Sequence, residues 1–397
     1  MKINPGGKLD IEEIVGRDQL LVFIRERLLT QSLILAAERR MGKTHVLHKL
    51  VANPPNGWVM LQRDVEGLRS ATEFVQYAIA DLHPHLSKAQ QFRDWVNTMV
   101  SDASGAQIGP LKLPNFPPQH WKKVSQDAAM HLQAAKDISH IAFLSDEFPW
   151  MLQNIAKTNP QEAMELLDVL RALRQQNDKL RVVFTGSIGL HHILRQLKTQ
   201  GYNNAPTNDM ASIKVPPLAT GDARQLAVSL LGAIGLATAD QNPPMQIALE
   251  VDCIPYYIHH VLSELSRRQD PTARATQLQI AKIVDEAIKS PHDPWNLQHY
   301  EDRTHDYYGM QRDSCLALLD AVASSNEGLA IQTAINGAKA SHPDVTKNEW
   351  LELIHLLQRD YYVVRNDQTG ALAFKFSIVR RWWQWHRNIT ISVGAAS

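Results

Sequence analysis

The chain has 397 residues, with 41 basic side chains, 41 acidic side chains and an apolar fraction of 44%. This length exceeds what a single hydrophobic core usually serves, so we expect two or three domains. The balanced charge excludes a general electrostatic attraction to nucleic acid, and any contact with DNA needs a local basic patch. The apolar fraction excludes a largely disordered chain.

Cysteine usage and the start of the chain indicate a reducing compartment. Cys253 and Cys315 are the only cysteines, and they lack metal-ligand spacing, so we expect two reduced, buried thiols. The first ten residues lack the apolar core of a signal peptide, and no apolar run approaches the ~18 residues that span a bilayer. The sequence therefore predicts a cytoplasmic protein.

Short apolar strands alternate with helices in the first half of the chain, after a flexible lead-in at 1–13. The strands are predicted at 32–36, 58–61, 141–144 and 181–185. The helices between them are predicted at 18–30, 71–82 and 160–176, and another begins near Gly42. This alternation predicts an α/β domain at 14–218, in which helices cover both faces of a parallel sheet.

The pattern becomes helical after Pro216 and Pro217. One all-α lid domain is predicted at 219–292, with helices at 222–234, 245–251, 255–266 and 278–290. The last domain is predicted at 293–397, with helices at 312–324, 329–340 and 348–360 and strands at 361–365 and 371–376. Three helices followed by a hairpin are typical of a winged helix-turn-helix.

A glycine-lysine-threonine sequence lies between the first strand and the next helix. The motif G-x-x-x-x-G-K-[ST] is matched by Ala37-Glu38-Arg39-Arg40-Met41-Gly42-Lys43-Thr44, except that Ala37 replaces the first glycine. In such a P-loop, N–H groups at a helix N-terminus hold phosphates, the lysine reaches the β- and γ-phosphates, and the threonine hydroxyl ligates Mg²⁺. We assign this loop and the following His45 to ATP or ADP. A chance match at a strand-to-helix turn is the alternative.

Two adjacent carboxylates, Asp146 and Glu147, end a later apolar strand. At the tip of that strand Asp146 would hold Mg²⁺, and Glu147 would act as general base on the attacking water. The alternative is that both acids only start the following helix. Together with the G-K-T loop in an α/β pattern, the pair favours a nucleoside triphosphatase.

The next strand ends in Thr185-Gly186-Ser187. In this topology the strand tip would lie beside the γ-phosphate, and the hydroxyl of Ser187 or Thr185 would sense it by a hydrogen bond. An ordinary strand-to-loop turn explains the same residues equally well, and both interpretations stay open.

A series of motifs in one order gives a family resemblance. They are Val15-Gly16-Arg17-Asp18, the Arg39-Arg40-x-Gly-Lys-Thr loop, Leu61-x-x-Asp64-Val65-Glu66, Asp146-Glu147-Phe148-Pro149, Thr185-Gly186-Ser187 and Ile254-Pro255-Tyr256-Tyr257. Together they resemble the prokaryotic "archaeal-type" P-loop ATPases of the AAA+/STAND group. These ATPases also resemble origin-recognition ATPases, because both join an ATPase core and a helical lid to a winged helix. The resemblance extends over residues 14–390.

The resemblance implies further roles at the site. The Gly16-Arg17 turn would border the adenine, and Pro255 would pack on the base, although Cys253 stands where a small glycine is usual. The alternative for Pro255 is an ordinary helix start. An arginine is expected before the fifth strand, yet none occurs between Gln196 and Ala223.

Arg195 is the nearest substitute for this arginine, and a solvated residue at a helix end is the alternative for it. Without a cation at the γ-phosphate, hydrolysis should be slow. The resemblance thus implies a nucleotide-dependent switch or assembly factor. It would act with an unidentified protein partner or as a homo-oligomer.

Two other functions remain open. The chain could be a DNA-binding ATPase of the origin-recognition or transposition-targeting type, with duplex DNA held by Arg365, Arg380 and Arg381, or a non-catalytic scaffold that holds ADP. The presumptive recognition helix at 347–359 carries two acids and two bases, which is a poor match to a phosphate backbone. We expect the tryptophans at 382, 383 and 385 to pack within the domain rather than to stack on bases.

Overall fold

The computed structural model describes residues 1–86, 90–101, 107–108, 111–112, 116–186, 189–236, 242–268 and 275–391. The chain divides into two units. The core unit is Arg17–Val215, and the lid unit is Met1–Gly16 with Pro216–Ser397. Among the described residues, no helix combines the length and the apolar character that a membrane crossing requires.

The core unit is built on a five-stranded sheet in which each neighbouring pair is parallel. Its strands are β1 Leu33–Ala36, β2 Trp58–Asp64, β5 His140–Asp146, β6 Leu180–Thr185 and β7 Ala211–Lys214, and a small hairpin adds β3 Gln107–Ile108 and β4 Leu111–Lys112. The order across the sheet is β2-β5-β6-β1-β7. This arrangement confirms the predicted parallel sheet. Strand β7 was not predicted, because only Ile213 of its four residues is buried and no apolar run marks it.

Eight α-helices are described in the core unit. They are α1 Asp18–Leu28, α2 Lys43–Ala52, α3 Ala71–Leu86, α4 Gln90–Ser101, α5 Trp121–Ala134, α6 Phe148–Thr158, α7 Pro160–Gln176 and α8 Leu190–Thr199. Alternate residues of β6 face opposite sides of the sheet. Phe184 stacks on Phe148 of α6 with ring centroids 3.8 Å apart, whereas Arg181 donates to the Leu28 carbonyl at the end of α1. Helices therefore cover both faces, as the sequence predicts.

The lid unit is mostly helical. Its first helices are α9 Thr220–Ala233, α10 Pro243–Glu250, α11 Pro255–Arg267 and α12 Gln277–Ile288. They are followed by α13 His299–Tyr308, α14 Arg312–Ala323, α15 Ile331–Lys339, α16 Lys347–Arg359, β8 Val363–Arg365, β9 Leu372–Phe374 and α17 Ser377–His386. The last two strands form an antiparallel hairpin, and Leu329 adds a bridge to Leu372. Residues 1–13, predicted as a flexible lead-in, belong to this unit, where the Asn4 amide donates to His259 Nδ1.

Polar contacts connect the end of α10 to α17. The Asp252 carboxylate accepts the Ile378 amide at 2.8 Å, in the first turn of α17, and Glu250 forms an ion pair with Arg381 at 2.8 Å. Burial raises the pKa of Asp252, and hydrogen bonds from the Ser377 and Ile378 amides partly oppose this effect. An acid at a helix N-terminus stabilises the helix dipole, so α17 is fixed to the turn before α11.

The tryptophans of α17 follow the prediction in part. Trp382 and Trp383 are buried, and the Trp383 indole donates to Asp320, so both residues pack within the lid unit. Trp385 lies on the exposed side of α17 with 41% of its surface accessible. Both cysteines are free and buried, which confirms the prediction for them.

Candidate active site

The loop between β1 and α2 contains two residues with a left-handed backbone. Gly42 is the N-cap of α2 with φ 82°, a left-handed conformation that glycine adopts without steric cost. Arg40 also has positive φ, at 71°. Ala37 is not one of the described residues with positive φ, so its methyl group fits where the motif usually has glycine. The departure at Ala37 therefore leaves the loop conformation intact.

Two charged residues of the loop, Glu38 and Lys43, are buried, whereas Arg39 is exposed. The buried Lys43 amine donates to the carbonyls of Ala37 and Glu38 at 3.2 and 3.3 Å. The Glu38 side chain is also buried, and its Oε1 accepts the Arg39 amide at 2.7 Å. Lys43 thus places its charge inside the turn that the loop forms.

The two principal motifs meet at one hydrogen bond. The Thr44 hydroxyl donates to Asp146 Oδ2 at 2.7 Å, between residues that lie 102 positions apart in sequence. Asp146 is buried at the carboxyl end of β5, and its Oδ1 accepts the Glu147 amide at 3.2 Å. A hydroxyl oxygen and a carboxylate oxygen at this distance are the hard donors that Mg²⁺ prefers, so these residues fit that ion.

Glu147 lies at the junction of β5 and α6. Its φ is 56°, a left-handed conformation that is uncommon without glycine and that turns the chain sharply into α6. The Phe148–Phe184 stack fixes the start of this helix against β6. A Cβ placed on Gly186 would lie 3.3 Å from Glu147 Oε2 and 2.6 Å from Pro149 Cδ. The carboxylate of Glu147 therefore lies beside the end of β6, where only glycine leaves room.

The end of β6 carries one of the two candidate hydroxyls. Thr185 is buried at the last position of the strand, and within the described residues its hydroxyl has no hydrogen-bond partner. Ser187 lies outside the described residues. Its predicted contact with the γ-phosphate stays a prediction.

The residues assigned to the base occupy different units. Arg17 is in the core unit, is only 4% exposed and donates from Nη2 to the Met41 carbonyl at 2.7 Å. Gly16 is in the lid unit with φ 67°, and a Cβ there would lie 2.6 Å from Asp222 Cβ. Pro255 opens α11, and Cys253 has φ 56°. The left-handed backbone at Cys253 explains why glycine is usual there in the ATPases that the sequence resembles.

The segment before β7 contacts a buried arginine of another helix, which its own sequence does not reveal. Arg174 of α7 is buried and pairs with Asp209 at 2.9 Å, and it also donates to the Pro206 carbonyl. Burial acts to raise the pKa of Asp209, but the hydrogen bond and the charge of Arg174, with smaller contributions from a backbone hydrogen bond and from Arg171, together lower the pKa below its ordinary value. The i, i+4 pattern of α7 marks Arg174 only as a helix residue, so no local signal reveals this contact. Arg195 lies on the exposed side of α8.

Two of the three arginines proposed for DNA have partners inside the lid unit. Arg381 pairs with Glu250, and Arg380 donates to the Asn326 carbonyl while burial lowers its pKa. Arg365 of β8 is exposed. The three residues are alike in charge, but only Arg365 among them lies on the exposed surface.

The strand order and the loop after β1 together give the fold of a P-loop ATPase core. Comparisons agree on this fold. The structure is similar to a Walker-type ATPase of Pyrococcus abyssi, with a TM-score of 0.64 and 14% identity over 97% of this chain and 100% of that chain. It is also similar to the ORC2 protein of Aeropyrum pernix, in complexes with ADPNP and ADP, with a TM-score of 0.55 and 11% identity over 94% of this chain and 93% of that one. No family model matches the sequence, and neither does any curated protein.

Proposed function

We propose that this chain binds ATP with Mg²⁺, hydrolyses it slowly and works as a nucleotide-dependent switch or assembly factor. The hydrogen bond from Thr44 to Asp146 carries the proposal, because it joins the two motifs that the chemistry needs at one point. The similarity of the fold to an ORC2 protein described with bound nucleotide supports the same assignment.

Each side chain has a defined part in the proposed reaction. The Lys43 amine, now directed at loop carbonyls, would donate to the β- and γ-phosphates. Thr44 and Asp146 would hold Mg²⁺, which neutralises phosphate charge when it is bound. Glu147 would accept the proton of the attacking water, whose oxygen bonds to the γ-phosphorus as the bond to ADP breaks. Thr185 would orient that water or the γ-phosphate through its buried hydroxyl.

We also propose that α14, α15 and α16 with the β8–β9 hairpin form a winged helix. The bridge between Leu329 and Leu372 supports this, because a winged helix adds a short third strand to its hairpin. The contacts of Asp252 and Glu250 with α17 connect this region to the turn that precedes Pro255. A change at that turn would thus be transmitted to the C-terminal helices, as a switch requires.

The DNA-binding alternative has weaker support. Arg380 and Arg381 have protein partners, and the exposed face of α16 carries Glu349 and Glu352 beside its basic residues. Acids on a recognition helix oppose the phosphate backbone. A mobility-shift assay with duplex DNA at low and at moderate salt measures this alternative directly.

Two substitutions test the proposed function. Lys43→Ala should abolish ATP binding in calorimetry with an unchanged circular dichroism spectrum, because it removes the charge that meets the phosphates. Glu147→Gln should bind ATP as the wild type does but hydrolyse it more slowly, by about 10²- to 10⁴-fold, because only the base is lost.

Two results would contradict the proposal. A folded Lys43→Ala variant with unchanged ATP affinity would exclude the P-loop as the binding site. Unchanged hydrolysis in both Glu147→Gln and Asp146→Asn would place the chemistry elsewhere. Nucleotide identified after denaturing the purified protein distinguishes a switch from a scaffold that retains ADP.

A further inference from the structure

Arg17 is a buried arginine whose guanidinium reaches the P-loop. Arg17 is only 4% exposed, which is uncommon for an arginine. Its backbone carbonyl accepts the Leu21 amide in the first turn of α1, so the backbone at Arg17 is fixed. Its Nη2 donates to the Met41 carbonyl at 2.7 Å. The side chain thus holds a backbone group of the loop, one residue before Gly42.

The geometry of the peptide group gives this contact a consequence. In a trans peptide the C=O and the next N–H point in opposite directions, and the described chain contains no cis peptide. Holding the Met41 carbonyl toward Arg17 therefore directs the Gly42 amide to the other side. Arg40 and Gly42 both have positive φ, and a turn of this type aligns successive amides into a cavity that binds anions.

We propose that Arg17 is a positioning residue for phosphate binding, which sets the orientation of the Met41–Gly42 peptide. This inference rests on the proposed function, because it assumes that the loop binds phosphates. It differs from the role that the family resemblance implies, in which the Gly16-Arg17 turn borders the adenine. A base contact and a loop contact predict different ligand selectivity, so the two roles can be separated.

The experiment measures binding to the full-length protein by calorimetry with three probes, MgATP, MgGTP and inorganic tripolyphosphate. Arg17→Met should weaken binding of all three by the same factor, about 10- to 100-fold, because a charged hydrogen bond to the loop is lost. Arg17→Lys keeps a charged donor and should recover part of the affinity. The ratio of ATP to GTP affinity should stay constant throughout.

Arg25 supplies a matched control. It lies on the same helix α1 and donates from Nη2 to the Asn53 carbonyl at 2.9 Å, beyond the C-terminal end of α2 and away from the P-loop. Arg25→Met removes the same kind of bond and should leave binding of all three probes within twofold of the wild type. Arg25→Met controls for the loss of an arginine–carbonyl hydrogen bond from α1, and a urea titration of both variants separates a loss of core stability from a loss of loop orientation.

Four results would overturn the inference. Arg17→Met that binds tripolyphosphate as tightly as the wild type would show that the loop needs no help from Arg17. A changed ratio of ATP to GTP affinity, with tripolyphosphate unaffected, would assign Arg17 to the base. If Arg17→Met does not fold, binding is measured with Arg17→Lys instead. A folded Arg17→Lys variant that binds none of the three probes would contradict the role of a charged donor. A wild-type protein that binds no probe refutes the proposed function itself, and the inference with it.

Discussion

Gly186 offers a sharp test of how the fold positions the catalytic carboxylate. It follows β6 directly and faces the start of α6. A Cβ built there lies 2.6 Å from Pro149 Cδ, 3.1 Å from Pro149 Cγ and 3.3 Å from Glu147 Oε2. Gly186→Ala therefore introduces a methyl group against a rigid proline ring and beside the proposed base.

The expected magnitude follows from these distances. Carbon atoms in contact prefer a separation of about 3.5–4.0 Å, so the new methyl group is roughly 1 Å too close to Pro149. Overpacking of this kind costs about 1–3 kcal/mol of stability. Glu147 lies two residues before Pro149, so a shift of the proline ring should also displace the Glu147 carboxylate. Misplacing a catalytic group by ~1 Å can lower a rate by about 10²-fold, so we expect kcat to fall by roughly 10- to 100-fold.

Binding and hydrolysis should respond differently. Lys43 and Thr44 belong to α2, whereas the displaced atoms belong to the start of α6, so ATP affinity should stay within about twofold. Calorimetry gives the affinity, and a coupled phosphate-release assay gives kcat. In the double variant with Glu147→Gln, Gly186→Ala should cause no further loss of rate, because both changes act through one carboxylate.

Gly221→Ala is the control, because a Cβ at Gly221 in the first turn of α9 meets no atom within 4 Å. It should leave both kcat and affinity unchanged. Wild-type kcat and wild-type stability in Gly186→Ala would refute the argument that this glycine makes room for Glu147. A further loss of rate in the double variant would show that Gly186 acts on something other than the base.

Three more predictions concern the lid unit and the arginine that would reach the γ-phosphate. Cys253→Gly should raise the free energy of unfolding by about 1 kcal/mol in urea titrations, because φ 56° strains a residue with a side chain, and an unchanged midpoint would contradict this. Asp252→Ala should lower it by about 1 kcal/mol, while Asp252→Asn keeps an acceptor for the Ile378 amide and should lose less. Burial raises the pKa of Asp252 above its ordinary 3.8. The free energy of unfolding of the wild type should therefore fall as pH rises from 3.8 through the raised pKa, and the alanine variant should lack this dependence on pH. The isolated protein should hydrolyse ATP at less than about one turnover per minute, whereas a typical enzyme reaches ~10 s⁻¹. Arg195→Ala should remove any acceleration gained by self-assembly. Fast turnover that depends neither on protein concentration nor on Arg195 would refute this prediction.

Local patterns in the sequence determined most elements and the principal motifs. The apolar runs before Ala37 and Asp146 predicted buried strands, and the segment between two of the strands predicted a helix at 160–176, which the structure has as α7 Pro160–Gln176. These signals are local, because strand and helix periodicity depend on neighbouring residues. The loop from Ala37 to Thr44 could be recognised in the sequence for the same reason, because its motif needs only a strand, a turn and a helix in succession.

Only the tertiary structure decided which side chains meet. The sequence offers Arg17, Arg174 and Arg381 as similar basic residues, but the structure directs them to the Met41 carbonyl, to Asp209 and to Glu250. The Thr44–Asp146 hydrogen bond likewise joins residues 102 positions apart. Such contacts depend on strand order, on helix rotation and on side-chain direction, which many distant residues set together. A charged residue read from sequence therefore indicates a possible function, but the packing around it determines which group it contacts.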